Sequence, residues 1–230
     1  MYKKKVTAVV PTRKGSQRVK SKNTRDFLDT TILELKLKVL KQVKGIDEIV
    51  VNTDCPVSIE IAKKNGVTVY KRDDFYASSD ITNNLHWKHI AEVTDTDVLL
   101  LAQTTSPLIK AKTYEDAIEK FLNNNNEFDS INSVTMEKKF LWQDNKPLNY
   151  DINVTPKSQD LPDIVSLNFA ITIIDKEDMF NNENVVGITP MFIELDKTES
   201  IDIDDMLDFE FAEFMFSKLG FDYLLDNSDK

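Results

Sequence analysis

The chain has 230 residues, with 29 Lys and Arg against 39 Asp and Glu and a formal net charge of -10. This length fits one domain with a sizeable core, and the acidic balance argues against broad binding to nucleic acid or anionic membranes. The lone cysteine, Cys55, excludes an internal disulfide. No apolar run approaches the roughly eighteen residues of a membrane span and the first residues do not read as a leader, so the expected setting is cytoplasmic.

In chain order, Val6, Ala8, Val9 and Val10 form a short β-branched run closed by Pro11, the pattern of a strand buried on both faces. It empties into a loop carrying Arg13, Lys14, Arg18, Lys20 and Lys22, with Gly15 and Ser16 allowing close backbone approach to a ligand. Positive charge concentrated against the overall balance points to a polyanion, held by side chains and by a nest of backbone N–H groups. The loop has neither P-loop nor dinucleotide-fold spacing, and a solvated basic loop without function is the bland alternative. Thr30 or Thr31 is expected to cap a helix through Ile32, Leu33, Leu35, Leu37, Val39, Leu40 and Val43, stopped at Gly45. A strand over 46–52, a helix over 57–64 ended by Gly66, and a strand over 67–70 follow. The alternation implies a parallel sheet with helices on both faces and ligands at the carboxyl ends of its strands.

The polar segment 72–84 leads into a helix over 85–93. On it, His86 and His89 lack a third partner for a metal and read better as exposed or core imidazoles. A buried strand over 97–102 delivers Gln103, Thr104, Thr105, Ser106 and Pro107, whose amide and hydroxyls suit a sugar or ribose, although a plain strand-to-helix turn explains them equally. Thr113 is expected to cap a helix to Leu122, and 130–135 reads as a strand. Residues 136–165, mixed in polarity and carrying Trp142, Pro147, Tyr150, Pro156 and Pro162, break the alternation. A strand over 166–175 follows. Near the end, residues two apart in a strand face the same way, so Asp202 and Asp204 are expected to converge on magnesium while Ile201 and Ile203 enter the core. Asp204 or Asp205 would cap a helix over 206–218.

Three ordered motifs carry a resemblance. TRKGSQRVKSKN, QTTSPL and SIDIDDMLD are similar to the signature segments of the acylneuraminate cytidylyltransferase family, which makes CMP-activated acidic sugars. Arg13, Ser16, Arg18, Lys22 and Asn23 match the first, Gln103, Thr105, Ser106, Pro107 and Leu108 the second, and Asp202 and Asp204 the third. Gln17 stands where the family has lysine and Lys20 where it has proline. Arg72, Ala77, Ser79 and Asp80 match a further nucleotide segment once one residue is inserted. Asn168 and Ala170 hold in the strand that follows the excursion, while Ser166, Phe169 and Thr172 replace an arginine, a glycine and a tyrosine; Trp142 falls where a lysine would be expected.

The resemblance implies a single α/β domain over 1–230, a Rossmann-like nucleotidyltransferase with a mostly parallel central sheet. It also implies a homodimer, with 136–165 crossing to a partner subunit. CMP would pass from CTP to a hydroxyl of an acidic sugar for cell-surface glycan synthesis, with pyrophosphate released. The implied catalytic residues are Arg13, Gln17, Lys22 and Asp204. Nucleotide would be bound by Arg13, Ser16, Arg18, Lys22, Asn23, Arg72 and Asn84, acceptor by Gln103 and Asn168, and Mg2+ by Asp202 and Asp204. The alternatives are the same fold acting on another nucleotide or a non-sugar acceptor, and a regulatory protein that binds nucleotide without turnover.

Overall fold

The computed structural model describes residues 3–16, 18–78 and 80–225. Its centre is a seven-stranded sheet of β1 (Val6–Pro11), β2 (Glu48–Thr53), β3 (Thr68–Lys71), β4 (Val98–Ala102), β5 (Ser130–Glu137), β6 (Ile164–Asp175) and β7 (Pro190–Glu194), in the order β7-β5-β6-β4-β1-β2-β3. β1 pairs in parallel with β2 and β4, β2 with β3, and β5 with β7; β6 alone runs antiparallel, between β4 and β5. The expected mostly parallel α/β sheet is present.

Period-two alternation divides the core. Val6, Ala8 and Val10 of β1, with Val98 and Leu100 of β4, pack on one face against the larger cluster. That cluster includes α1 (Ile32–Leu40), α2 (Pro56–Lys64), α4 (Ala111–Leu122) and α6 (Met206–Leu224). Val9, Leu99 and Leu101 face a second cluster with Ile90 of α3 (Asn83–Val93) and Met179 of α5 (Lys176–Asn182). Both faces are covered, which explains why these strands read as unbroken apolar runs.

Several local expectations need correction. Thr31 does cap α1, its side chain accepting from Glu34 N at 3.1 Å. Thr113 caps nothing: α4 begins at Ala111 after Lys110, and the Thr113 hydroxyl, one turn inside, donates to Glu199 at 2.6 Å. Residues 201–203 lie in no strand. Ile203 is nevertheless fully buried, and its N–H donates to the Thr105 carbonyl at 2.8 Å, so the segment is extended beside the end of β4 without joining the sheet. Asp205, and not Asp204, caps α6 through a reciprocal box with Asp208. The strand β7 and helix α5 had no counterpart among the expected elements.

Candidate active site

The strands β1, β2 and β4 all end at one edge of the sheet, and the loops they release enclose a cleft of about 510 Å³. That volume suits a small-molecule ligand. Loop 12–22 forms one wall. Thr12 N–H donates to the Asn52 carbonyl at 3.0 Å, continuing the β1–β2 ladder past Pro11, and Lys14 N–H donates to Asp54 at 2.8 Å. Gly15 adopts a φ of +87°, a left-handed conformation that a side chain would strain although nothing lies close enough to clash. Val19, 1% exposed, pins the loop into the core, and a short 3-10 turn, Lys22–Thr24, closes it. Arg13, Ser16, Arg18, Lys22 and Asn23 consequently all line the cleft. Gln17 lies outside the described residues, as does Ser79.

The opposite wall is acidic. Asp204 lines the cleft, and its carboxylate meets the Arg18 guanidinium at 2.7 Å. Lys22 reaches the same segment, its Nζ donating to the Ile203 carbonyl at 2.6 Å. Burial lowers the Lys22 pKa, opposed by the charges of Asp202 and Asp204. Asp202 is held above the usual carboxylate range, first by burial and then by Asp204, while a Thr105 hydroxyl bond and Lys22 pull it down. One Asp202 oxygen is buried with no hydrogen-bond partner among the described residues. An unpartnered hard oxygen beside a second carboxylate and a cationic loop fits the donor set of a magnesium ion, which keeps most of its shell as water and other oxygen ligands. The described residues contain no cluster of three or more His, Cys, Asp and Glu side chains able to hold a metal.

The floor is the turn after β4. Gln103, Thr104 and Thr105 line the cleft. The Thr104 hydroxyl donates to Asn23 Oδ1 at 2.8 Å, so Asn23, 8% exposed, ties the cationic loop to this turn. At the far end, Arg72 is 4% exposed and donates through Nε to Asn52 Oδ1 at 2.6 Å and through Nη2 to the Asn52 carbonyl at 2.8 Å. Burial lowers its pKa to about 10, which leaves it cationic at neutral pH. His86 and Trp87 complete this end, and neither carries a site role in the sequence motifs. The only hint was their position on the helix that follows Arg72. Burial, assisted by the charges of Arg72, His89 and Arg13, pushes His86 down to about 3, so a neutral imidazole faces the ligand end. His89 instead stacks on Tyr76 with ring centroids 3.7 Å apart, a packing role and not a metal site.

Asp202, Asn84 and Asn168, all expected site residues, are not among those that line this cleft; Asp202 lies half-buried beside Asp204. Asn84 turns away, its amide donating to the Glu183 carbonyl at 2.7 Å. Asn168 is committed to the irregularity in β6: its Oδ1 accepts from Ser133 at 2.5 Å and from Ala170 N at 3.2 Å, and its Nδ2 donates to Thr135 at 3.0 Å. Within this bulge Phe169 holds a φ of 52°, which explains why glycine is the residue expected there. Ser166 donates to Glu137 at 3.0 Å, and Thr172, 1% exposed, donates to Asn132 at 3.0 Å.

Known proteins resemble this chain in sequence and in fold. The chain is 26% identical over 216 residues to the N-acylneuraminate cytidylyltransferase of Escherichia coli, covering 90% of this chain and 51% of that protein, so it spans about half the length of this relative. It is 27% identical over 230 residues to the CMP-N,N'-diacetyllegionaminic acid synthase of Legionella pneumophila, covering 91% of this chain and 95% of that protein. The solved structure of CMP:2-keto-3-deoxy-manno-octonic acid synthetase complexed with CTP superposes with a TM-score of 0.70 at 12% identity, over 93% of this chain and 99% of the other, a likeness of fold. Residues 7–157 match the family profile described as cytidylyltransferase, and the chain belongs to the cytidylyltransferase family.

Proposed function

We propose that the chain transfers CMP from CTP to a hydroxyl of an acidic sugar of the nonulosonic class and releases pyrophosphate. The observation that carries this reading is the direct junction of the two walls, Arg18 to Asp204 and Lys22 to the Ile203 carbonyl. A triphosphate lying between cations and carboxylates needs both. Relatives named for CMP activation of sialic and legionaminic acids supply the substrate class.

In the transfer, the acceptor oxygen bonds to the α-phosphorus, the bond from that phosphorus to the bridging oxygen breaks, and pyrophosphate departs with the electron pair. The acceptor proton passes to solvent or the leaving group. Arg13, Arg18 and Lys22 bind phosphate oxygens, and Gln17 is assigned a neutral contact there. Asn23 fixes the loop, which places those charges before the nucleotide arrives. Arg72 and neutral His86 close the end of the cleft remote from Asp204 and are assigned to the nucleoside. Gln103 orients the acceptor. Asp202 and Asp204 would hold Mg2+, which when bound neutralises phosphate charge and polarises the α-phosphate.

The excursion supports an assembly role. Phe140, Trp142, Leu148, Ile152 and Val154 are 40 to 72% exposed, an apolar surface suited to a second copy of the chain. No described helix is long and apolar enough to cross a membrane; the proposed use of CTP is the reason for assigning the protein to the cytoplasm. The test is pyrophosphate release with each of the four nucleoside triphosphates, magnesium present, across a panel of acidic sugars and small hydroxy acids. Release with CTP and a nonulosonic acid is expected. Nucleotide binding without release under every acceptor would overturn the assignment.

A further inference from the structure

We infer that Lys36 is a positioning residue for this transfer: from beneath the turn at 103–106 it fixes the backbone that joins the cationic loop to the aspartate segment. The inference rests on the proposed transfer for its kinetic consequence and on geometry alone for its structural one. α1 is buried nearly all round, and Lys36 sits within it among Leu33, Leu35, Leu37 and Leu40 at 0% exposure, so its amine cannot reach solvent along the apolar surface. Its Nζ donates to the Ser106 carbonyl and to the Tyr114 hydroxyl, each at 2.7 Å. Tyr114 comes from α4 and is equally buried, and the buried Glu199 carboxylate exerts the attraction that opposes loss of the Lys36 charge.

Packing alone would be met by methionine or leucine at this position. What the amine adds is a donor aimed at one carbonyl. The turn that carries that carbonyl is bound on its other sides to both walls of the cleft: the Thr104 hydroxyl donates to Asn23, and the Thr105 carbonyl accepts from Ile203 N at 2.8 Å. Lys36 therefore holds from below the short stretch through which the phosphate side and the carboxylate side share a frame. Burial lowers its pKa to about 7, and the amine donates to Ser106 in either protonation state.

The test is Lys36→Met, with Tyr114→Phe as a second variant that keeps ring volume and removes one acceptor. Three readouts are needed: kcat and KM for CTP per folded protein, deuterium uptake at 103–106 in the free protein, and the thermal midpoint. Lys36→Met is expected to lower kcat about 10-fold or more with KM for CTP changed much less, as for groups that orient a reacting centre. Uptake should rise at 103–106 while β4 stays protected. Unchanged kcat and unchanged uptake in a folded Lys36→Met protein, with only the thermal midpoint moved, would overturn the inference. If Lys36→Met does not fold, Tyr114→Phe decides by the same readouts, with a several-fold fall in kcat and faster exchange at 103–106 expected and neither change refuting it. Absence of pyrophosphate release by the unaltered protein counts against the proposed transfer, whereas deuterium uptake judges Lys36 independently.

Discussion

The Arg18 guanidinium and the Asp204 carboxylate lie 2.7 Å apart, although one belongs to a loop near the amino terminus and the other to the segment entering the last helix. Both side chains are more than half exposed, so the pair contributes little to folding, about 0–1 kcal/mol. Arg18→Ala should therefore leave the thermal midpoint nearly unchanged. Loss of one charge-assisted phosphate contact should raise KM for CTP roughly 10-fold. Steady-state pyrophosphate release beside a thermal melt checks both halves.

Asp202→Asn and Asp204→Asn each retain size and remove charge. Each is expected to lower kcat by roughly 100-fold or more while circular dichroism stays native, and chelation should silence the unaltered protein reversibly. Titration of activity with magnesium provides the measurement; a full rate at chelator excess would exclude the metal role.

Asn52 holds the buried Arg72 side chain through its Oδ1 as well as its carbonyl. Asn52→Ala leaves one guanidinium N–H without its acceptor and should destabilise the fold by about 1–3 kcal/mol. Nucleotide affinity should weaken with it, because Arg72 lines the cleft. Denaturant midpoints and calorimetric titration with CTP report the two effects.

Phe169 pairs a left-handed backbone with a 38% exposed ring. Phe169→Gly relieves that strain but loosens the unfolded chain, so its net effect on stability should stay within about 1 kcal/mol. Ile171 pairs with Ala102, which brings the bulge level with Gln103 and the turn after β4. KM for the acceptor should therefore change more than KM for CTP, as read across the panel of acidic sugars.

Lys36 makes stability depend on pH in a predictable direction. Its pKa, about 7 when folded, lies below the ordinary 10.5, so between these values the unfolded chain binds the extra proton. Stability from this group therefore rises with pH across that window and is flat below it. The melting midpoint of the unaltered protein minus that of Lys36→Met should grow from pH 7 toward pH 10.

The three motif segments were legible because each joins a strong local pattern to unusual chemistry: an apolar run emptying into cations, a strand end carrying an amide and hydroxyls, and spaced aspartates before an amphipathic helix. β7 was not legible. Its residues pair at an outer edge beside β5 and are partly exposed, so PMFIE carries little of the uninterrupted apolar signal of β1 or β4. The family resemblance implies site roles for Asn84 and Asn168, and only neighbours distant in sequence, Glu183 and Ser133, reveal that their amides are already used. His86 and Trp87 carry no signal beyond their place on the helix after Arg72, because facing the cleft is a property of how α3 docks on β4.

By itself, the order of apolar and charged residues determined the alternating parallel architecture and the cationic loop that follows its first strand, because burial of strand faces and concentration of charge are local properties of sequence. Only the tertiary structure decided which groups meet. Pairings such as Lys22 with Ile203, or Lys36 with Ser106, depend on the strand order and helix docking that close long loops, and those are set by the whole core at once.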